Sequence, residues 1–210
     1  MVLSFGQRMS FRWRMREDIG GQPGRHYHNW AHHVAVARNA FRIARLEGVK
    51  LTPREKDVLF AAAYSHDAVY APGGKNNEEK SANLAGRVLR EIGVADEEFI
   101  EEVKKTIVHG TKHFSDVKPE TKLHAILRDA DLYGLAAPYW RFNSDGEKLR
   151  REYGSPPKGK WSELRTGTLE RLMAKNGGNV FYTGYGIRVL KERALRNLAI
   201  LREKTKAKRI

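Results

Sequence analysis

A run of small and apolar residues, Ala61-Ala62-Ala63-Tyr64-Ser65, ends abruptly in His66 and Asp67. An imidazole and a carboxylate at the end of a buried helix can reach one ion, and that donor pair suits a divalent cation of the Mn, Fe, Co, Ni, Zn and Mg group. The dipeptide alone is common, so its meaning depends on its company. Upstream lies Arg25-His26-Tyr27-His28-Asn29-Trp30-Ala31-His32-His33, which holds four of the eight histidines of the chain in eight residues. The interleaved Tyr, Asn and Trp argue against a purification tag, and His32 and His33 are both candidate ligands. Downstream, His109 and His113 stand four apart, the spacing of one helix face. Asp129 and Asp131 interrupt the apolar pattern Leu123, Ile126, Leu127, Ala130, Leu132, Leu135. A carboxylate on a buried helix is costly unless it is paired or metal-bound, so one of the two aspartates should face the core with a partner.

Helical elements must position these groups. Asn29 can cap a helix from about Trp30 to Glu47 that stops at Gly48, with Val34, Ala37, Phe41 and Ala44 as its stripe. Thr52 and Pro53 open a helix from about Arg54 to Asp67. Asn77 caps another, to about Ile92, with Glu78 and Glu79 favourably placed in its first turn. Asp96 caps a helix through Phe99, Val103 and Ile107 to about His113. The next runs from about Thr121 to Trp140. Loop signals at 143–146 and 154–157 flank a short helix, and helices at about 161–174 and 185–204 close the chain, separated by a turn at 176–179. Residues 1–24 read as an irregular basic segment, because Gly20-Gly21-Gln22-Pro23-Gly24 blocks a helix and Arg8, Arg12, Arg14 and Arg16 precede it. With almost no alternating strand pattern, the expected fold is all-α: a single helical-bundle domain over 25–203 and a basic tail over 204–210.

At 210 residues the chain can bury a sizeable single core. The absence of cysteine excludes disulfides and thiolate metal sites, so any metal must use His, Asp, Glu or water. That absence fits a reducing compartment, and Met1–Gly6 lacks the apolar core of a signal peptide; a cytoplasmic location is expected. No apolar run approaches the length of a membrane span. The net charge of +14 is uneven: residues 141–210 hold 18 Lys/Arg against 7 Asp/Glu, a net +11. Such a bias suggests an anionic partner, either a phosphorylated small molecule or nucleic acid, or else a strongly solvated surface.

In order the chain presents His32, His66-Asp67 and Asp131, an H…HD…D arrangement that resembles the HD superfamily of metal-dependent phosphohydrolases. The likeness extends to one poorly characterised branch through Arg25-His26-Tyr27-His28-Asn29-x-x-His32, Asn77-Glu78-Glu79-x-Ser81, Thr111-Lys112-His113 and Asp129-Ala130-Asp131-Leu132. Arg151-Glu152-Tyr153 and Arg196-Asn197-Leu198 resemble its C-terminal marks, so the likeness covers about residues 25–198. It implies an all-α HD-type domain, with His32 rather than His33, His66, Asp67, and Asp131 rather than Asp129 as ligands of one divalent ion. A second ion near His109 and His113 is an option, as some HD proteins have two.

The implied reaction is attack of metal-activated water on a phosphate ester. Asp67, Glu78 and Glu79 are the catalytic candidates, the glutamates as proton acceptors. Negative charge spreads over phosphoryl oxygens in the transition state, so cations should stand nearby; Arg25, Lys75, Lys112 and His113 are the candidates. The expected substrate is a phosphorylated small molecule, foremost a nucleotide, on whose base Tyr27, Trp30, Tyr70, Tyr133 or Trp140 could stack. The competing expectation is a nucleic-acid-binding protein, or a nucleic-acid phosphodiesterase, using the basic C-terminal third.

Overall fold

The computed structural model describes residues 2–114 and 117–207, and every regular element among them is helical. In chain order these are α1 (Phe5–Gly20), α2 (Trp30–Leu46), α3 (Pro53–Ser65), α4 (Asn77–Glu91), α5 (Glu97–Thr111), α6 (Lys122–Asp131), α7 (Tyr139–Glu152), α8 (Lys158–Gly178) and α9 (Lys191–Lys206). A 3-10 turn (Leu132–Ala136) follows α6 and a π-helical turn (Gly186–Leu190) precedes α9. The all-α expectation holds. No helix among the described residues is long and apolar enough to cross a membrane.

The centre is α3. Ala61, Ala62 and Ala63 are fully buried, and with Cβ alone as side chain they let neighbouring helices approach closely. Thr52 opens α3 with a reciprocal capping box to Glu55, and Pro53 takes the first turn, where its missing N–H costs nothing. Helices α2 and α6 pack on α3 and on each other, and α5 fills the other side against α3, α4 and α6. The apolar stripes of Val36, Ala37, Ala40 and Ile43 on α2 and of Phe99, Ile100, Val103 and Ile107 on α5 are buried. On α2 this stripe is rotated from the expected one: Phe41 lies 36% exposed while His33 is buried.

Four elements differ from the sequence reading. The segment 1–24, expected to be irregular, carries α1. Ser4 and Gln7 form a capping box, and Phe11, Met15 and Ile19, one turn apart, seat the helix on the core. Asp57, itself buried, accepts from Leu3 N at 2.7 Å and pairs with Arg8 at 2.7 Å, which docks the start of α1. The helix expected over 121–140 stops at Asp131, and Pro138 holds Ala137 extended before α7 begins. Asn143–Gly146, expected as a loop, is helical inside α7. Gly146 leaves room there for the Arg165 guanidinium, which donates to Phe142 O at 2.7 Å and would have to shift to admit a Cβ. In the expected basic tail, Lys204–Lys206 belong to α9, while residues 208–210 lie outside the described ones.

Asp96 shows how a cap is linked to pH. It accepts from Phe99 N at 2.9 Å and pairs with Arg54 at 2.8 Å, and these contacts hold its carboxyl down at about 2. The ordinary value is 3.8, so the folded state favours the ionised form. The stabilisation is full above about pH 4 and is lost as pH falls toward 2. Asp96→Ala should therefore melt below the wild type at neutral pH, with a deficit that shrinks in melts recorded below about pH 4.

Candidate metal centre

Four side chains from three helices converge where α2, α3 and α6 meet. His32 comes from the first turn of α2, whose backbone Asn29 caps by accepting from Ala31 N and His32 N. His66 and Asp67 follow the last turn of α3, and Asp131 ends α6. One ligand atom from each lies within 4.8 Å of the others. His32 Nε2 is 3.1 Å from His66 Nε2 and 3.0 Å from Asp131 Oδ1. His66 Nε2 is 3.3 Å from Asp67 Oδ2 and 3.4 Å from Asp131 Oδ1.

The donor set fits a divalent ion. His66 Nδ1 faces Ala63 O at 3.0 Å, and a carbonyl can only accept, so the ring proton belongs there and the Nε2 lone pair points into the cluster. Two imidazole nitrogens and two carboxylate oxygens this close are favourable only around positive charge. The field reflects this: burial opposes charge on His66, yet Asp67 and Asp131 beside it hold it well above the ordinary value. Burial likewise works against ionised Asp67 and Asp131, and the adjoining histidines overcome it and hold both down.

Supporting groups fix the four side chains. His113 Nε2 lies 2.7 Å from Asp131 Oδ2, which leaves Oδ1 for the cluster. Arg25 donates to Asp67 O at 2.7 Å, His28 O at 2.9 Å and Ala68 O at 3.0 Å. Its guanidinium ties the His-Asp turn to the preceding loop instead of standing free for a phosphate. Lys112, another expected phosphate contact, pairs with Glu79 at 3.2 Å. That glutamate, expected as a proton acceptor, has its carboxyl lowered by the backbone N–H at the start of α4 and by Lys112; both effects weaken it as a base. Glu78 is half-buried beside it, and Lys75 is exposed in the loop before α4. Asn77, expected to cap α4, is inside it and clips Ala71 through both side-chain atoms, while Asn76 takes the cap position at φ 60°.

His28 and Glu152 were not singled out for chemistry by the sequence, although both sit in its motifs. Glu152 accepts from Tyr27 N at 2.7 Å, His28 N at 2.8 Å and His28 Nδ1 at 2.7 Å. That pairing directs His28 Nε2 toward Asp67 Oδ2, 3.8 Å away, and Tyr70 stacks on the ring at 3.7 Å between centroids. The two residues are 124 positions apart, so no local pattern could join them.

The alternatives for the first and last ligand positions separate cleanly. His33 points into the core beside His66, with both ring nitrogens buried and unpartnered. Asp129 accepts from Tyr182 N, Thr183 N and Thr183 Oγ1, holding the chain before α9 against α6. The expected pairing of His109 with His113 does not occur. Lys112 leaves helical geometry at φ −75°, ψ 64°, so His113 swings to Asp131 while His109 stacks on His124.

The family model of the HD domain matches residues 29–134, a span that contains all four converging side chains and the helices that carry them. The chain belongs to the HD-domain family. HD-domain proteins bind divalent metal ions and typically act as metal-dependent phosphohydrolases. No curated protein matches this HD-domain chain at a significant level.

A cavity of about 440 Å³ opens beside the cluster of this HD domain, reaching His32 and Asp131. Its wall includes Arg38, Arg42, Arg141, Lys148 and Arg193 against two carboxylates, Asp131 and Asp145. Lys148 pairs with Asp145 at 2.7 Å, and the arginines stand exposed. Arg42 sits over the Tyr133 ring at 5.8 Å. Of the expected stacking residues, Tyr27 and Tyr133 line this cavity, Trp30 stacks on Tyr64, and Trp140 is largely exposed.

Proposed function

We propose that this HD-domain protein hydrolyses a phosphate ester of a nucleotide or a related phosphorylated small molecule, with a divalent ion held by His32, His66, Asp67 and Asp131. The observation that carries the reading is the juxtaposition of that cluster with a cavity whose rim is cationic. Of its five cations, Arg141, Lys148 and Arg193 come from the basic C-terminal third, which gives that charge a use at the site. A divalent ion, when bound, supplies Lewis acidity: it lowers the pKa of water and polarises the phosphoryl group.

The chain's own residues supply the rest. His32, His66, Asp67 and Asp131 bring two neutral donors and two negative charges, so the centre is nearly neutral. His113 orients Asp131, and Arg25 orients Asp67 through its backbone. Arg38, Arg42, Arg141 and Arg193 attract the anionic substrate and offset the charge that builds on its phosphoryl oxygens. Tyr133, faced by Arg42, offers a flat surface to an aromatic base. His28, polarised by Glu152, is the proton-handling group at the edge of the cluster in preference to Glu78 and Glu79.

Glu152→Gln keeps the shape of the side chain but removes its charge and one acceptor. It should lower kcat/KM for the preferred substrate by about 10- to 100-fold, the cost typical of an orienting partner beside a metal site, with the helical circular dichroism spectrum retained. Steady-state kinetics of the purified variant check this.

The reading is tested by phosphate release from a panel of nucleotides and phosphomonoesters. Metal-stripped protein is refilled with Mg, Mn, Co, Ni or Zn. Metal-dependent turnover of a nucleotide, with a KM that rises several-fold in Arg42→Ala, supports it. No turnover of any phosphate ester with any ion overturns it.

A further inference from the structure

We propose that His109, Glu120 and His124 form a second, separate site for a borderline transition ion of the zinc type. His109 stands in the last turn of α5, His124 in the first turn of α6, and Glu120 in the segment between them. One ring nitrogen of each histidine and one carboxylate oxygen lie within 4.8 Å of one another. The two imidazoles stack with centroids 4.9 Å apart and planes 18° apart, and His109 Nδ1 is 3.7 Å from Glu120 Oε1.

An independent observation points to a ligand. Nδ1 of His109 and Nδ1 of His124 are both buried without a hydrogen-bond partner, and His124 is only 5% exposed. Buried polar atoms in folded proteins are satisfied with few exceptions, so two unsatisfied nitrogens in one stacked pair call for an electrophile between their neighbours. The backbone around them is firmly set. Thr121 Oγ1 accepts from His124 N at 3.2 Å, and Arg128 Nη2 donates to His109 O at 2.8 Å.

The donor chemistry selects the ion. Two imidazoles and one carboxylate are the set that zinc takes in open, three-ligand sites, leaving a position for water, whereas Mg²⁺ and Ca²⁺ require oxygen-rich shells. None of the three residues belongs to the four-residue cluster. An ion here would tie the end of α5 to the start of α6 and brace the connection that carries Lys112 and His113.

The test is zinc titration of the metal-stripped full chain by calorimetry, with circular dichroism to confirm the fold of each variant. Asp67→Ala alone would leave His32, His66 and Asp131, again two imidazoles and a carboxylate, so the background is His66→Gln/Asp67→Ala, which leaves the cluster only His32 and Asp131. This double variant should still bind one Zn²⁺ per chain and gain melting temperature with zinc. Adding His124→Gln, or His109→Gln if that variant folds better, should abolish both effects, and Glu120→Gln should weaken binding about tenfold. Zinc binding by the double variant that persists on adding either histidine substitution overturns the site, as does a double variant that binds no zinc at all. A wild type that binds one ion, lost in His124→Gln and kept in His66→Gln/Asp67→Ala, supports this site and instead removes the four-residue cluster as a metal centre.

Discussion

Asp67→Ala should lower metal-dependent phosphate release by about a thousandfold or more, equivalent to about 4 kcal/mol in the activation barrier. That exceeds the 10- to 100-fold cost of losing an orienting partner, because Asp67 supplies both a donor atom and a charge at the centre. Its Oδ2 lies 3.3 Å from His66 Nε2 and 3.9 Å from His32 Nε2. Without it, two neutral imidazoles and Asp131 remain, and the site loses one of its two negative charges. Stability should change much less than activity. Asp67 is held near other charges at a burial cost, and its backbone contacts, including the Arg25 bond to its carbonyl at 2.7 Å, survive the substitution. Calorimetric titration with Mn²⁺ and single-turnover phosphate release, both on folded variant protein, measure the two effects. A variant that turns over at the wild-type rate would remove Asp67 from the metal centre.

Asp129→Ala should do the reverse. It lies two positions from Asp131, yet its carboxylate accepts Tyr182 N at 2.9 Å, Thr183 N at 2.8 Å and Thr183 Oγ1 at 2.6 Å. Truncation strands these donors in the interior, where each unsatisfied group costs about 1–3 kcal/mol. Burial itself disfavours the carboxylate and raises it to about 6 against those hydrogen bonds, which offsets part of the loss. A net destabilisation of about 2–4 kcal/mol follows, or roughly 5–15 °C in Tm for a chain of this size. In the wild type a Cβ on Gly186 would overlap Asp129 Oδ2 and crowd Phe181 Cβ at 2.8 Å, so glycine there lets the carboxylate lie against the turn before α9. Below its melting transition Asp129→Ala should still bind the divalent ion. Unchanged Tm together with lost ion binding would reverse the roles of the two aspartates.

The bundle was legible because its caps are local. Asn29, Thr52 and Asp96 each precede an apolar helical period, and each makes its side-chain cap in the structure. The set His32, His66, Asp67 and Asp131 was legible through the H…HD…D order that the family resemblance carries, and it converges because these residues begin α2 or end α3 and α6, which pack together. What escaped depends on distance or on one backbone angle. Helix α1 was hidden by its arginines, although the Ser4-x-x-Gln7 spacing and the Phe11, Met15, Ile19 stripe carried the signal. The separation of His109 from His113 follows from ψ 64° at Lys112, which no residue pattern announces. His28 gains its direction from Glu152, far along the chain and meeting it only in the folded state. The cationic cavity draws on α2, α7 and α9 together, so uneven charge was visible in sequence while its place was not.

The central claim is that the four-residue cluster holds a divalent ion, and anomalous diffraction tests it most directly. Crystals of the full chain soaked in Mn²⁺ or Zn²⁺ and measured at the metal edge should show a peak bonded to His32 Nε2, His66 Nε2, Asp67 Oδ2 and Asp131 Oδ1. The bonds should be about 2.0–2.2 Å long. No peak among these atoms at saturating metal, with the four side chains ordered as described, would contradict the account.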